Sequence, residues 1–205
     1  LNLFRDQLDR YGEVNTIAQK WKQAFSTLPD TTTIALNADD PQIAFMGEKL
    51  KNNIFYFGLN DKNLIQTRRQ HAADSTYCPK CQTKLFYKHV YFSHLGKWEC
   101  KNCGNMRPNL DISRSSYYPQ DGTYNKYNTH AAVLFAKINN ISNETIEQSL
   151  KDFKPAFGRQ EIIGINGKKI KLFLSKNPTS FNESLQTINE LKGKNILLVL
   201  NDRIP

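Results

Sequence analysis

Two cysteine pairs, Cys78-Pro79-Lys80-Cys81 and Cys100-Lys101-Asn102-Cys103, decide how the middle of this chain folds. They use all 4 cysteines, and 18 residues separate the pairs. A C-x2-C loop brings two thiolates to one ion, so two loops supply four soft ligands at the corners of a tetrahedron. Two disulfides or four unrelated core thiols are the alternatives. The matched spacing, without any mark of a secreted protein, favours a structural zinc site, and such a closed ligand set holds a fold rather than performing chemistry.

The residues around and between these pairs, 62–116, predict a β-rich zinc-ribbon insertion. Helical periodicity is absent there, and aromatic residues alternate with polar ones in LFYKHVYF (85–92) and KWEC (97–100). The order metal knuckle, hairpin, metal knuckle follows from this pattern. The aromatic side chains could stack on nucleic-acid bases or form the small core of the module, and the second explanation is favoured because small modules depend on a metal for stability. Since four cysteines complete a tetrahedron, no histidine is expected to be a ligand, and His71, His89, His94 and His130 are given no role.

The segments on either side predict an α/β fold. Apolar residues from Ile17 to Leu28 have helical spacing, and a short β-branched strand at 32–36 leads into the polar loop Asn37-Ala38-Asp39-Asp40-Pro41. Pro41 suits the first turn of a helix reaching residue 50, and a strand is expected at 54–57. Ligands of open α/β sheets bind at the carboxyl ends of strands, so this loop is a candidate position for a ligand.

The α/β pattern resumes after residue 118. We expect an Ala-rich helix at 131–137, a helix capped by Ser142, a hairpin with strands at 161–165 and 169–174 around Asn166-Gly167, a helix at 181–191 and a last strand at 195–200 that completes a β-α-β unit. Ser175-Lys176-Asn177-Pro178 lies between a strand and a helix, where phosphate and carboxylate groups bind. The predicted domains are 1–61 and 117–165 of one α/β domain, the insertion 62–116, and 166–205 as the start of a second domain.

The totals constrain the partners and the compartment. The net charge is +9 and the pI about 9.3, which suits a polyanion partner, but the lysines are dispersed and a solvated surface explains them better. No run of about 18 apolar residues occurs, and a four-cysteine metal site suits a reducing, cytoplasmic compartment.

Taken in order, several loops resemble the successive motifs of the Mur ligase family. They are Asn2…Arg5-Asp6-Gln7…Gly12, then Asn37-Ala38-Asp39-Asp40-Pro41, then Gly122…Asn125…Asn128…Ala131-Ala132, then Gly158-Arg159…Glu161. With the four-cysteine ribbon between the second and third motifs, the chain is similar to the family's amidotransferase branch. The resemblance covers nearly the whole chain.

The resemblance implies a partial Mur ligase-like central domain, an open α/β sheet, with the zinc-ribbon insertion and the start of a Rossmann-like C-terminal domain. It implies a synthetase subunit that uses ATP and Mg²⁺ to activate the α-carboxylate of D-glutamate in the lipid II stem peptide as an acyl phosphate. Ammonia from a glutaminase subunit, GatD, then converts D-glutamate to D-isoglutamine during peptidoglycan synthesis at the inner face of the bacterial membrane.

The resemblance also assigns residues. Asn125 and Asn128 match nucleotide-binding positions, with Asn128 on the adenine side; Arg159 matches a position toward ribose and phosphate, and Lys176 one near the transferred phosphate. Asp6 and Gln7 stand where the family has an Asp-His pair near the second Mg²⁺. Lys176, Asp6 and Gln7 are therefore the candidates for a catalytic role.

The chain departs from the family pattern at several positions. Gln7 replaces the usual His, Tyr124 stands where many relatives have His, and Phe173-Leu174 occupy the region of a ribose-binding Asp. Lys20 or Lys22 is roughly placed for the modified lysine of some relatives. No G-x-x-x-x-G-K-[ST] stretch occurs.

We therefore expect the P-loop upstream of Leu1 and the rest of the C-terminal domain beyond Pro205, and we expect this chain alone to be inactive. The alternative functions are a basic zinc-ribbon module that binds nucleic acid, or an adaptor whose ribbon only docks a partner. Under the ligase interpretation, chelation should loosen residues 70–115 and leave the α/β part folded.

Overall fold

The computed structural model describes residues 2–5, 12–66, 74–156 and 158–200. The elements follow in chain order: α1 (Val14–Ser26), β1 (Thr33–Asn37), α2 (Pro41–Met46), β2 (Asn53–Phe57), a 3-10 turn (Lys62–Leu64), β3 (Phe86–Phe92), β4 (Leu95–Glu99), α3 (Thr123–Ile138), α4 (Asn143–Lys151), β5 (Arg159–Ile165), β6 (Lys168–Phe173) and α5 (Pro178–Glu190). Within the described residues the strands form three two-stranded sheets.

The first α/β unit forms as the sequence predicts. β1 and β2 pair in parallel, with Ile34 opposite Ile54, and α2 connects them. Asp40 caps α2, because its Oδ1 accepts hydrogen bonds from the backbone N–H groups of Gln42 and Ile43. α2 ends at Met46, four residues earlier than predicted; its C-cap, Gly47, lies so close to β2 that a Cβ there would be 2.7 Å from the Tyr56 hydroxyl.

The insertion contains the predicted hairpin between the cysteine pairs. β3 and β4 are antiparallel, with Tyr87 opposite Trp98. The tight turn at Ser93 and His94 is buried rather than exposed, and the His94 ring lies 4.9 Å from the Phe4 ring. His94 Nε2 is 3.5 Å from the carboxylate of Asp40. The tip of the hairpin therefore lies against the loop that follows β1.

α3 begins eight residues before the helix predicted at 131–137. Gly122 is its N-cap and has a positive φ of 90°, which lets the chain turn directly into a helix at Thr123. Asn125 and Asn128 therefore lie inside the helix, one turn apart, and not in a loop before it.

The C-terminal part forms a hairpin and one helix. β5 and β6 are antiparallel around Asn166-Gly167, both with positive φ, as that dipeptide predicts. Asn177 caps α5 through a capping box with Ser180.

The strand predicted at 195–200 is wrong, and so is the β-α-β unit it was to complete. Residues 195–200 have no strand structure, and Leu197 and Val199 are each 84% exposed. A strand needs a neighbour for its backbone hydrogen bonds, and within the described residues no strand pairs with this segment.

The main core joins the insertion to the α/β part. Three residues of the hairpin tip, Tyr91, Phe92 and Leu95, pack in one cluster with β2 and α3 residues, which include Phe57, Tyr127, Val133 and Leu134. A second cluster holds α1 against β1 and α2. A third, small cluster surrounds the cysteines. No described helix is long and apolar enough to cross a membrane.

Candidate functional site

The four cysteines converge on one point. The Sγ atoms of Cys78 and Cys103 are 3.7 Å apart, those of Cys81 and Cys100 are 3.4 Å apart, and all four lie within 4.8 Å of one another. Each pair sits on a tight turn closed by backbone hydrogen bonds from Gln82 N to Cys78 O and from Gly104 N to Cys100 O. The prediction that the pairs come together is confirmed, whereas the ion remains a prediction.

The geometry fits a zinc ion and does not fit disulfides. Four sulfurs at about 2.3 Å from a tetrahedral Zn²⁺ are about 3.8 Å from one another, close to the distances found here. A disulfide requires about 2.05 Å, and all four cysteines are free. Hydrogen bonds from Thr83 and Asn102 lower the pKa of the Cys81 thiol. Despite a backbone hydrogen bond from Asn105 that lowers it, the pKa of Cys103 is raised by burial and the neighbouring cysteines, so without an ion the four thiols do not all ionise together.

A cavity of about 440 Å³ lies between α3, the β5–β6 hairpin and the start of α5. Its size is that of a small-molecule site. Three of the four predicted cofactor-binding residues, Asn125, Asn128 and Arg159, line it. The structure brings them together, although their role stays a prediction.

α3 places the two asparagines on the wall of this cavity. Asn125 is buried and anchored, because its Nδ2 donates to Asp121 O at 2.7 Å. Asn128, one turn later, is exposed and donates to Asn125 Oδ1 at 3.3 Å. One amide is therefore buried and fixed, and the other is exposed and held by a longer hydrogen bond.

The opposite wall comes from β5. Arg159 is exposed, and its carbonyl accepts a hydrogen bond from Gln120 Nε2 at 2.7 Å. Gln160 follows in the left-handed region, with φ 60°, and is buried. Its Nε2 donates to Tyr124 Oη and to Asp121 O, while its Oε1 is buried without a hydrogen-bond partner among the described residues.

Lys176 lies at the edge of the site and not on its wall. Its side chain is exposed, and its backbone N–H donates to Ser180 Oγ at 2.9 Å in the turn that begins α5. The adjacent Asn177, together with Ser180 and the buried Glu183, lines the cavity.

Three residues at which the chain departs from the family pattern lie at the same cavity. Tyr124, Phe173 and Leu174 all line the cavity, and the Tyr124 hydroxyl accepts the bond from Gln160. Asp6 and Gln7 lie outside the described residues. Lys20 and Lys22 are exposed on α1, and Lys22 lines a different cleft, with its ammonium over the Phe45 ring.

Sequence reasoning missed a buried charge pair next to the site. Asp39 is fully buried, and Arg107, four residues after the last cysteine, lies 2.5 Å from its Oδ1. Asp39 Oδ2 accepts hydrogen bonds from Tyr127 Oη and Leu59 N. Burial raises the pKa of Asp39 to about 6, and Arg107 and the two hydrogen bonds oppose that rise only in part. Nothing in the local sequence pairs these residues, because 68 positions separate them.

His130 was also given no role, yet it is fully buried. Its Nδ1 lies 2.8 Å from the carbonyl of Gly58 and its Nε2 lies 2.8 Å from Tyr118 Oη. These partners fit the neutral ring with the proton on Nδ1, and burial lowers the pKa of His130 in agreement. The residue fastens α3 to the end of β2.

The hairpin aromatics favour the structural explanation over base stacking. Tyr91, Phe92 and Trp98 are buried, and the indole N–H of Trp98 donates to Ala38 O at 3.0 Å. Phe86 is exposed, with the Lys101 ammonium 5.1 Å from its ring centre.

The chain resembles known ligases over nearly its whole length. It is 33% identical over 205 residues to the MurT subunit of lipid II isoglutaminyl synthase (glutamine-hydrolyzing) of Streptococcus pneumoniae, matching 91% of this chain and 45% of that protein. It is 26% identical to the MurT subunit of Staphylococcus aureus, over 98% of this chain and 49% of that protein. No family model matches the chain.

A solved structure supports the same assignment. The pseudomurein peptide ligase type C from Methanothermus fervidus superimposes with a TM-score of 0.72 at 28% identity, covering 91% of this chain and 40% of that one. The α/β fold is therefore that of a Mur ligase, and the chain resembles the Mur ligase family over nearly its whole length. Within that family it is similar to the MurT subunits, and it spans about half the length of the MurT relatives it matches.

Proposed function

We propose that this chain carries the adenine-nucleotide-binding part of an ATP-dependent ligase of peptidoglycan synthesis. Its substrate would be lipid II, and glutamine would be the amido donor through a glutaminase subunit, GatD. The product would carry D-isoglutamine in place of D-glutamate. The similarity to two MurT subunits supports this choice among the Mur ligases.

One observation carries the proposal: Asn125 and Asn128 of α3 and Arg159, 31 positions later in the sequence, line one cavity of about 440 Å³. The cavity combines amides suited to the edge of a purine with a guanidinium suited to a phosphate. The unpaired buried Oε1 of Gln160 adds an acceptor, which a ribose hydroxyl or an exocyclic amino group would satisfy.

Each residue then has a physical task. Asn128 recognises the adenine edge, while Asn125 holds the first turns of α3 in place through Asp121. Arg159 neutralises charge near the ribose and phosphates, and Lys176, exposed beside the start of α5, reaches toward the transferred phosphate. Mg²⁺ supplies charge neutralisation to such reactions. Asp6 and Gln7, which stand where the family has an Asp-His pair near the second Mg²⁺, lie outside the described residues.

The four cysteines would hold a structural zinc ion. Their closed set leaves no position for a substrate, so the ion stabilises the insertion and takes no part in the reaction. A nucleic-acid-binding module is the alternative, for which the exposed Phe86 beside Lys101 is the supporting feature.

The test uses the complete protein that carries this chain, together with its glutaminase subunit. Amidated lipid II is measured with glutamine and varied ATP for the wild type, Asn128→Ala and Arg159→Ala. We expect each variant to raise the KM for ATP about tenfold, as for one lost hydrogen bond to a charged or buried group. The matched control is Asn139→Ala, an exposed asparagine at the other end of α3. Wild-type KM values in both variants, or no amidated product from the wild type, would contradict the proposal.

A further inference from the structure

Arg107 belongs to the insertion by sequence but to the α/β part by its contacts. Its side chain is only 6% exposed. Besides the ion pair with Asp39, its guanidinium donates to Leu59 O at 2.7 Å and to Asn60 Oδ1 at 3.1 Å. All three partners lie just beyond the ends of β1 and β2.

Asp39 links Arg107 to α3 through a hydrogen bond from Tyr127. Its Oδ2 accepts a hydrogen bond from the hydroxyl of Tyr127 at 2.7 Å. Tyr127 is 1% exposed and lies between Asn125 and Asn128 on the same turns of the helix. Successive residues of an α-helix are rotated by about 100° around its axis. The bond that holds Tyr127 toward the core therefore also sets the directions in which Asn125 and Asn128 project.

The insertion holds residues 38 and 39 by two further bonds. The indole of Trp98 donates to Ala38 O, and Gly96 N donates to Asp39 O at 3.0 Å. The backbone N–H of Arg107 in turn donates to Trp98 O, which ties the arginine to β4. The insertion and the loop after β1 are therefore one hydrogen-bonded unit.

We propose that Arg107 is a positioning residue of the nucleotide site: from the insertion it holds Asp39, and through Asp39 it holds Tyr127 and the α3 face that carries Asn125 and Asn128. This inference rests on the proposed function for its consequence in nucleotide binding. Its structural part, the coupling of Arg107 to α3, can be measured without it.

The charges around Asp39 determine how the coupling responds to pH. The groups that face it are Arg107, Tyr127 and Tyr91, with Asp40 adjacent in the chain and Asp61 near Tyr91. Arg107 is the one cation among these, and it lowers the pKa of a carboxyl that burial raises. Without Arg107 the ionised carboxylate would be buried with no counter-charge, a state that protonation relieves.

The experiment uses the complete protein and four variants. Arg107→Met removes the cation, Arg107→Lys keeps a charge without the planar guanidinium, and Arg107→Met with Asp39→Asn removes both charges. Arg114→Met, at an exposed arginine, is the matched control. Hydrogen exchange of residues 123–138 and the affinity for ATP with Mg²⁺ are measured at pH 6 and pH 8.

We expect Arg107→Met to bind ATP about tenfold more weakly at pH 8, as for one lost charge-assisted hydrogen bond. The loss should be smaller at pH 6, because Asp39 without the cation that lowers its pKa is more readily protonated. Arg107→Lys should be intermediate, and the double variant should recover most of the affinity and the exchange protection of α3. A merely structural role would give the same loss at both pH values with no recovery in the double variant.

Two results would overturn the inference: wild-type affinity for Arg107→Met at pH 8, or a loss that neither pH 6 nor Asp39→Asn relieves. If the wild type does not bind ATP, the proposed function is wrong. Hydrogen exchange of α3 then tests the coupling to Arg107 by itself. Faster exchange of α3 in Arg107→Met that the double variant reverses then supports the coupling, and unchanged exchange overturns it.

Discussion

The two ends of the β3–β4 hairpin are held in different ways. At the cysteine end, Leu85 and Trp98 pack with the cysteines in a small cluster to which the α/β part contributes Ala44 and Tyr56. At the tip, Tyr91, Phe92 and Leu95 belong to the main core with Phe57 and Tyr127. The first end packs on the α/β part through a small cluster that a metal can stabilise, whereas the second end lies inside the main core.

An insertion can therefore be separate in sequence and continuous in packing. Four cysteines with regular spacing identify the module, but they do not show where its far end lies. The far end reaches the loop after β1, and Arg107 adds a buried charge pair to that contact.

Metal removal should produce the largest effect. Cys100→Ser, or chelation, should abolish stoichiometric zinc and expose the cysteine end, since zinc contributes about 10 kcal/mol or more in small zinc modules. Hydrogen exchange should rise over residues 74–107 and then, more weakly, at 37–39 and 123–130, which extends the change predicted from the sequence. Zinc content by mass spectrometry and exchange by peptide mapping measure both. Exchange confined to the cysteine end would show that the two ends are independent.

Shortening a buried side chain at the tip of the hairpin should destabilise the whole domain. Leu95 is fully buried, so Leu95→Ala should cost about 2–5 kcal/mol of unfolding free energy. Leu85→Ala, at the cysteine end, is the matched change and should loosen only the insertion while zinc is bound. Urea unfolding monitored by circular dichroism gives the two values. Equal losses of unfolding free energy in the two variants would contradict the distinction between the two ends of the hairpin.

Asp39 should give the fold a pH dependence of about 3 kcal/mol, as expected for a pKa raised by about two units. The folded protein binds the proton more tightly than the unfolded chain, so this contribution is full below pH 4 and is lost as the pH rises to about 6. Asp39→Asn should remove it. The measurement is the difference in unfolding free energy between wild type and variant at pH 5, 6 and 7. A difference independent of pH would mean that the pKa of Asp39 is not raised.

The exposed face of the hairpin should show the smallest effect. Phe86→Ser should change stability by no more than about 0.5 kcal/mol, as surface substitutions do. Under the ligase proposal it should leave binding to single-stranded RNA weak at both 50 mM and 200 mM salt. Tight binding at low salt that falls steeply with salt, and that Phe86→Ser weakens, would favour the nucleic-acid alternative.

Local patterns predicted most of the elements, because the signals are local. Pro29 ends the first helix region, Ser142 caps α4 and Asn166-Gly167 makes the β5–β6 turn, each within a few residues of its position. The strand at 195–200 was wrong because a strand depends on a partner that the apolar run itself does not supply.

The sequence motifs predicted residues that line the candidate site, but not the residues that hold those lining residues in place. Asn125, Asn128 and Arg159 follow from the order of motifs, and they line one cavity. Arg107 and His130 were missed because their partners, Asp39 and Gly58, lie 68 and 72 positions away in the chain. No sequence period links residues at that separation, since only the folded core brings them together.

Gly122 sets the distance between the two helices that bound the cavity. A Cβ at this position would be 2.7 Å from the Thr187 hydroxyl of α5. The start of α3 and the third turn of α5 therefore meet at a point where an added methyl group would overlap the Thr187 side chain. Because glycine has no Cβ, the two helices can approach this closely at position 122. An alanine at this position would require Thr187 or a helix to move and would have to adopt a positive φ of 90°, so the close approach of the two helices depends on glycine.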